Sequence, residues 1–282
     1  MTPPTSERSE PTSRPSDPDP VALSRVHLFG LDFVDADGPA PVARAVLGRQ
    51  PADGLFPAVL TPNVDILLQL RRPENADIAE PLRHARYVLA DGQPVVWTSR
   101  LAGRPLQARV TGSSLFPLVW NDLVEHSRPV VVVAADETTA KGLRTEHPGA
   151  EVLVAPPKGA APADRSRFAA QVSAAVHSSG ADHLMMGLSF GVQERIALEV
   201  LGLIAAADRA RPVVLLLGAS FQMHLGLVSR APKWMQRFGL EWLFRFLREP
   251  RRLFHRYFVE GPRFAPMAIR EVLMSRRAES SG

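Results

Sequence analysis

The sequence predicts an α/β protein, because short uninterrupted apolar runs alternate along it with longer segments whose apolar residues recur at helical spacing. Runs such as Val130-Val-Val-Val-Ala134 and Val213-Val-Leu-Leu-Leu217 have no polar face, which is the habit of strands in a parallel sheet covered by helices on both sides. The ends of the chain differ in texture. Proline, serine and acidic residues dominate residues 1–22, and a basic, aromatic-rich stretch begins after residue 228. The expected organisation is a disordered Pro-rich tail over 1–22, a Rossmann-like core over 23–228, a helical appendage over 229–276 and a disordered tail over 277–282.

Each element follows from its own stretch of sequence. A first strand is expected near Val26–Phe33, ending before Asp35-Ala-Asp37-Gly38-Pro39, which reads as a solvated turn. The next, near Ala58–Leu60, runs into Thr61-Pro-Asn63, and either polar residue suits the cap of a helix near Val64–Leu70. A strand near Tyr87–Leu89 ends at Asp91-Gly92, with a helix near Gln93–Leu101 after it. Helices near Ser114–Glu125, Thr138–Glu146, Arg165–Val176 and Gln193–Ala207 then separate strands near Val130–Ala134, Glu151–Val154, His183–Gly187 and Val213–Leu217. No internal repeat interrupts this alternation.

Composition narrows the function. With 45% hydrophobic and 22% charged residues, the 282-residue chain is ordinary globular material. It contains no cysteine, which excludes disulfides, thiolate metal sites and a cysteine nucleophile. No apolar run reaches the ~18 residues of a spanning helix, and the amino terminus is too polar for a signal peptide. Cytoplasmic placement, peripheral to the inner face of the membrane, is the expectation. The formal charge is +4, and the basic character is concentrated late: between Arg230 and Arg263 the only acids are Glu241, Glu249 and Glu260. There arginines interleave with Trp234, Trp242, Phe244, Phe246, Phe254 and Tyr257, a combination suited to an anionic membrane surface or a lipid-linked phosphate. Two other readings share this composition: a helical hairpin whose aromatics pack inward, and a noncatalytic surface for membrane or single-stranded nucleic acid.

Ligands of open α/β sheets bind beyond the carboxyl ends of the strands, so the polar residues there carry the chemistry. They are Thr61-Pro-Asn63, Asp91-Gly92-Gln93, Gly187-Leu-Ser-Phe-Gly-Val-Gln193-Glu194 and Gly218-Ala-Ser-Phe-Gln222. All four clusters are expected along one edge of the sheet. A carboxylate such as Asp91 at the mouth of a cleft is suited to accept a proton from an attacking hydroxyl.

Thr61-x-Asn63, Val88-Leu-Ala-Asp91-Gly92, Leu101-Ala-Gly-Arg104-Pro105, Val110-Thr-Gly112-Ser113, Phe116-Pro117, Gln193-Glu194 and Arg230-Ala-Pro-Lys-Trp-Met-Gln-Arg-x-Gly-Leu-Glu-Trp242 together resemble the WecG/TagA/CpsF family of bacterial glycosyltransferases, in family order over about residues 25–260. The resemblance implies transfer of a sugar, typically N-acetylmannosamine or its uronic acid, from a UDP donor to a lipid-diphosphate-linked acceptor, with inversion and with neither cofactor nor metal. Asp91 matches the family's proposed base. Thr61, Asn63 and Gln193 match donor-facing residues, and Gly112, Ser113 and Glu194 fall within motifs expected at the substrate site. Arg245 and Arg252 match tail arginines thought to close over the site, and Arg256 lies one turn beyond Arg252. Nucleic acid is not an expected partner, whereas self-association is common in the family.

Two departures stand out. Gly191 and Val192 occupy places where the family usually has proline and lysine, and Gln222 stands where an aspartate is frequent. The resemblance therefore leaves the donor open. A different class is represented by Gly187-Leu-Ser189-Phe-Gly191, a G-x-S-x-G between an expected strand and helix, as in a serine-hydrolase nucleophile elbow. Asp208 followed by His224 or His255 supplies the order of a triad, but Asp208 falls at a helix end and no oxyanion-type glycine segment precedes it.

Overall fold

The computed structural model describes residues 22–48, 50, 54–229, 231, 232, 235 and 241–280, without the side chains of Arg245, Arg252, Arg256 and residues 278–280. Residues 277–280, expected in a disordered tail, continue the last helix, whereas residues 1–21 of the expected Pro-rich tail, residues 281 and 282 and most of the Arg230–Leu240 motif lie outside the described residues. So do the side chains of the three tail arginines assigned to the site.

Eight strands form one sheet in the order β1-β2-β4-β3-β8-β7-β5-β6. They are β1 (Ser24–Leu28), β2 (Leu31–Asp35), β3 (Phe56–Leu60), β4 (Ala85–Val88), β5 (Val131–Ala134), β6 (Glu151–Val154), β7 (His183–Met186) and β8 (Val213–Leu216). From β2 to β6 every neighbouring pair is parallel. The exception is β1, which pairs antiparallel with β2. The single strand expected over 26–33 is thus a tight hairpin, turning where Phe29 and Gly30 both adopt positive φ (57° and 77°). Phe29 tolerates this backbone because its ring is buried, 5.5 Å from that of Phe264.

Strand residues divide between two cores, one on each face. Ala58 and Leu60, Val131 and Val133, Leu184 and Met186, and Val214 and Leu216 face one side. Val59, Val132, Met185 and Leu215 face the other. This two-sided burial is why these strands carry no polar alternation. On the first side lie α2 (Val64–Gln69), α3 (Ala76–Leu82), α4 (Gln93–Leu101), α7 (Pro162–Ser179) and α8 (Val192–Ala206). On the second lie α1 (Pro39–Leu47), α5 (Gly112–Glu125), α6 (Glu137–Glu146) and the short α9 (Ser220–His224). Helices α1 and α3 were not expected from the sequence. Pro39 opens α1 at a position where a missing N–H costs nothing, and Pro81 sits inside the short α3.

The carboxyl-terminal segment is helical. It comprises α10 (Glu241–Arg248), α11 (Pro250–Phe254), a π-helical stretch His255–Glu260, a 3₁₀ turn Gly261–Arg263 and α12 (Phe264–Ser280). Phe264 and Met267 anchor α12 in the first core. Two ion pairs tie the segment to the sheet domain: Arg109 with Glu241 at 3.3 Å, and Arg72 with Glu260. Within the segment Tyr257 packs edge-on to Trp242 at 5.7 Å and to Phe246 at 6.4 Å. Inward packing of aromatics is therefore realised in part, while Leu247, Phe254 and Phe258 remain half exposed or more. No described helix is long and apolar enough to cross a membrane.

Candidate active site

The carboxyl ends of β3, β4, β7 and β8 open onto a cavity of about 800 Å³, within the size range of small-molecule sites. Its lining joins Thr61, Asn63, Asp91, Ser113, Ser189 and Gln193 from the sheet domain to Glu241, Trp242, Tyr257 and Phe258 from the carboxyl-terminal segment. The four polar clusters read from the sequence do converge there, and the appendage closes over them.

The loops after β3 and β4 are bound to one another. Leu89 donates its N–H to the Leu60 carbonyl at 2.8 Å, and Asp91 donates its N–H to the Pro62 carbonyl at 3.3 Å. This holds Asp91 beside Thr61 and Asn63. Asn63 caps α2, its side-chain oxygen accepting from the Ile66 N–H at 3.2 Å, and it also lines the cavity. Thr61 is 6% exposed and lines it as well.

Gly112, at the start of α5, lies just beneath this floor. A Cβ there would stand 2.9 Å from Ser220 Oγ and 3.5 Å from Thr61 Oγ1, so a larger residue would have to displace the Ser220 hydroxyl for α5 to approach so closely. Thr111 caps the helix in a reciprocal box with Ser114. Ser113 lines the cavity, whereas Gly112 contributes through this close approach.

Gln193 holds two loops in place. Its side-chain oxygen accepts from the N–H groups of Leu188 and Gly218, each at 3.3 Å, and its amide donates to Glu194 at 3.0 Å. Glu194 was expected at the substrate site, but it is fully buried and does not line the cavity. Its carboxylate instead caps α8, accepting from the Gly191 N–H at 2.5 Å. Burial pushes its pKa up to about 7, against the opposing hydrogen bonds from Gln193 and Gly191. The departure at Gly191 now has a physical meaning. Its φ of 85° cannot be adopted by proline, and the N–H that Glu194 caps is one that proline lacks. At the other departure, Gln222 is not among the lining residues and donates to Asp136 Oδ2 at 3.3 Å, supporting the cap of α6.

The serine-hydrolase arrangement does not assemble. Ser189 precedes α8 and Asp208 follows it, and 15 helical residues at 1.5 Å each place them about 22 Å apart. His224 is bonded to Glu146 at 3.0 Å, and His255 faces Glu260. In Asp35-Ala-Asp37, Asp35 accepts from the backbone and side chain of Gln107 at 2.8 and 3.0 Å, which is a structural role. No group of His, Asp and Glu among the described residues is arranged to hold a metal ion.

Four charged lining residues were not assigned from the sequence: Asp65, Arg109, Lys158 and Glu241. Arg109 lies between Arg104-Pro105 and Val110-Thr-Gly112, so its place in a loop leading into a helix start was the available signal. Glu241 was counted only as a scarce acid in a basic stretch. The Arg109–Glu241 pair has side chains only 17% and 14% exposed, and it sits at the seam between the two parts of the chain.

The chain is similar in sequence to known glycosyltransferases. The curated N-acetylglucosaminyldiphosphoundecaprenol N-acetyl-beta-D-mannosaminyltransferase of Bacillus spizizenii is 27% identical over 257 residues, covering 89% of this chain and 93% of the relative. The protein of the same name from Bacillus subtilis is 27% identical over 202 residues, covering 70% and 74%. The sequence model of the glycosyl transferase WecG/TagA/CpsF family matches residues 26–278, nearly all of the described chain, and the protein belongs to that family of glycosyltransferases.

Proposed function

We propose that this glycosyltransferase moves an N-acetylmannosamine-like sugar from a UDP donor to a lipid-diphosphate-linked amino sugar, with inversion, in cell-envelope polymer synthesis. The observation that carries the reading is the cavity in which Asp91 stands beside Thr61 and Asn63, under a cover supplied by the carboxyl-terminal segment. In a single displacement the acceptor hydroxyl forms the new bond to the anomeric carbon while the bond to the β-phosphate oxygen breaks. Its proton passes to Asp91, and the electron pair leaves with UDP. Thr61 and Asn63 orient the donor sugar, and Gln193 keeps the loops after β7 and β8 in register around it. The names of the two Bacillus relatives support the sugar and the acceptor.

The leaving diphosphate is neutralised by cationic side chains rather than by a divalent ion, and Arg245, Arg252 and Arg256 are proposed to contribute from the appendage. Docking at the inner membrane face is proposed through the half-exposed Leu247, Phe254 and Phe258 together with exposed Arg248 and Arg251. The test is UDP release from a panel of nucleotide sugars, with a short-chain lipid-diphosphate amino sugar as acceptor and EDTA throughout. Acceptor-dependent release from UDP-N-acetylmannosamine is the expected result. Release that requires added magnesium or manganese would remove the metal-independent step, and absence of release with every donor would remove the reading.

A further inference from the structure

The described cavity lining carries two cations, Arg109 and Lys158, against three carboxylates, Asp65, Asp91 and Glu241. Arg109 is already engaged by Glu241 at 3.3 Å. A nucleotide diphosphate brings two further negative charges into this space. With Arg109 engaged and Val192 uncharged at the start of α8, Lys158 is the cation of the described lining that is left to meet that charge.

Lys158 is built to be that cation. It occupies the first central position of a β-turn between β6 and α7, closed by the Ala160 N–H donating to the Pro157 carbonyl at 3.0 Å. Gly159 follows with φ 92°, the positive value that a type II turn requires at its second central position. Pro156 and Pro157 stiffen the approach, so an exposed side chain is presented from a fixed tip. Among the described residues Lys158 forms no ion pair, yet it lines the cavity.

Its direction of approach is informative. In the order β4-β3-β8-β7-β5-β6, β6 is the edge furthest from β4, so the turn enters from the side opposite Asp91. In an inverting displacement the leaving group departs from the face opposite the attacking hydroxyl, and hence opposite the base. We propose that Lys158 binds the diphosphate of the nucleotide donor. This rests on the donor reading above and adds to it a cationic contact from the β6–α7 turn. A compact ammonium on a flexible stem follows the diphosphate as its charge grows during departure.

The experiment is calorimetric binding of UDP, UMP and uridine to the full chain and to Lys158→Gln and Lys158→Arg, with melting curves to confirm that the exposed turn tolerates both changes. Lys158→Gln is expected to weaken UDP binding about tenfold, the scale of one hydrogen bond to a charged group, while leaving uridine binding unchanged. Lys158→Arg should recover most of that loss. Wild-type UDP affinity in Lys158→Gln would overturn the proposal. An unchanged UDP affinity combined with a raised KM for the sugar donor would also overturn it, moving the contact to an acidic group on the sugar. If the unaltered protein binds no UDP, the donor reading itself fails, and that outcome is visible before any variant is compared.

Discussion

Asp91 and Glu194 are two carboxylates in opposite settings, one lining the cavity and one buried behind it. Asp91 lines the cavity beside Thr61 and Asn63 and is the residue proposed as the base. Asp91→Asn should therefore nearly abolish transfer while UDP affinity stays within about threefold, because the amide keeps the shape but accepts no proton. Turnover at the wild-type rate would take the base role away from it. Glu194 lies behind the wall, and its burial raises its pKa from 4.5 to about 7. The folded protein thus holds a proton that the unfolded chain releases between these two values, so this group's contribution to stability is fully present below pH 4.5 and is lost as pH rises to about 7. Glu194→Gln should flatten the stability-versus-pH curve in that window, as urea titrations at several pH values would reveal. An unaltered slope would mean that Glu194 ionises normally in the folded state. At this scale sequence reading found the residue types but not their depth: Gln193 and Glu194 are adjacent, and only the fold decides that one borders the cavity while the other caps a helix behind it.

At the level of elements, the strands expected from apolar runs lie within about two residues of those observed, because burial on both faces leaves an unambiguous mark. The exceptions have local causes. The β1–β2 turn depends on Phe29 adopting a backbone that phenylalanine seldom takes, so nothing in the run Val26–Phe33 announced it. Helix α1 begins at proline, which reads as a turn until its missing N–H is placed at a helix start. Contact between α10 and the loop before α5 was legible in neither segment alone, since its ion pair joins residues 132 positions apart. Arg109→Ala and Glu241→Ala should each weaken donor binding and loosen the appendage. Together they should cost less than the sum, with a coupling of roughly 0.5–3 kcal/mol in a double-mutant cycle on melting or donor affinity. Strict additivity would show that the pair does not link the two parts of the chain.

For the molecule as a whole, the fold brings every strand-end cluster to one edge and then uses the carboxyl-terminal segment to complete the site. The sequence separated these two parts by composition, a basic aromatic stretch after an apolar alternating one. It could not show that Trp242, Tyr257 and Phe258 line the cavity, because aromatics suited to a membrane boundary are equally suited to the wall of a cavity. The same surface is proposed to serve both needs, with Leu247 outward at 68% exposure and Leu253 inward at 5%. The proposed function joins the cavity, the proposed base and the cover in a single displacement at the anomeric carbon, and its most direct measurement is the anomeric configuration of the disaccharide formed from an α-linked UDP-N-acetylmannosamine donor, read from its NMR couplings. A β-linked product is the result expected of Asp91 acting opposite the leaving diphosphate; an α-linked product would require a covalent intermediate or front-face attack and would contradict the account.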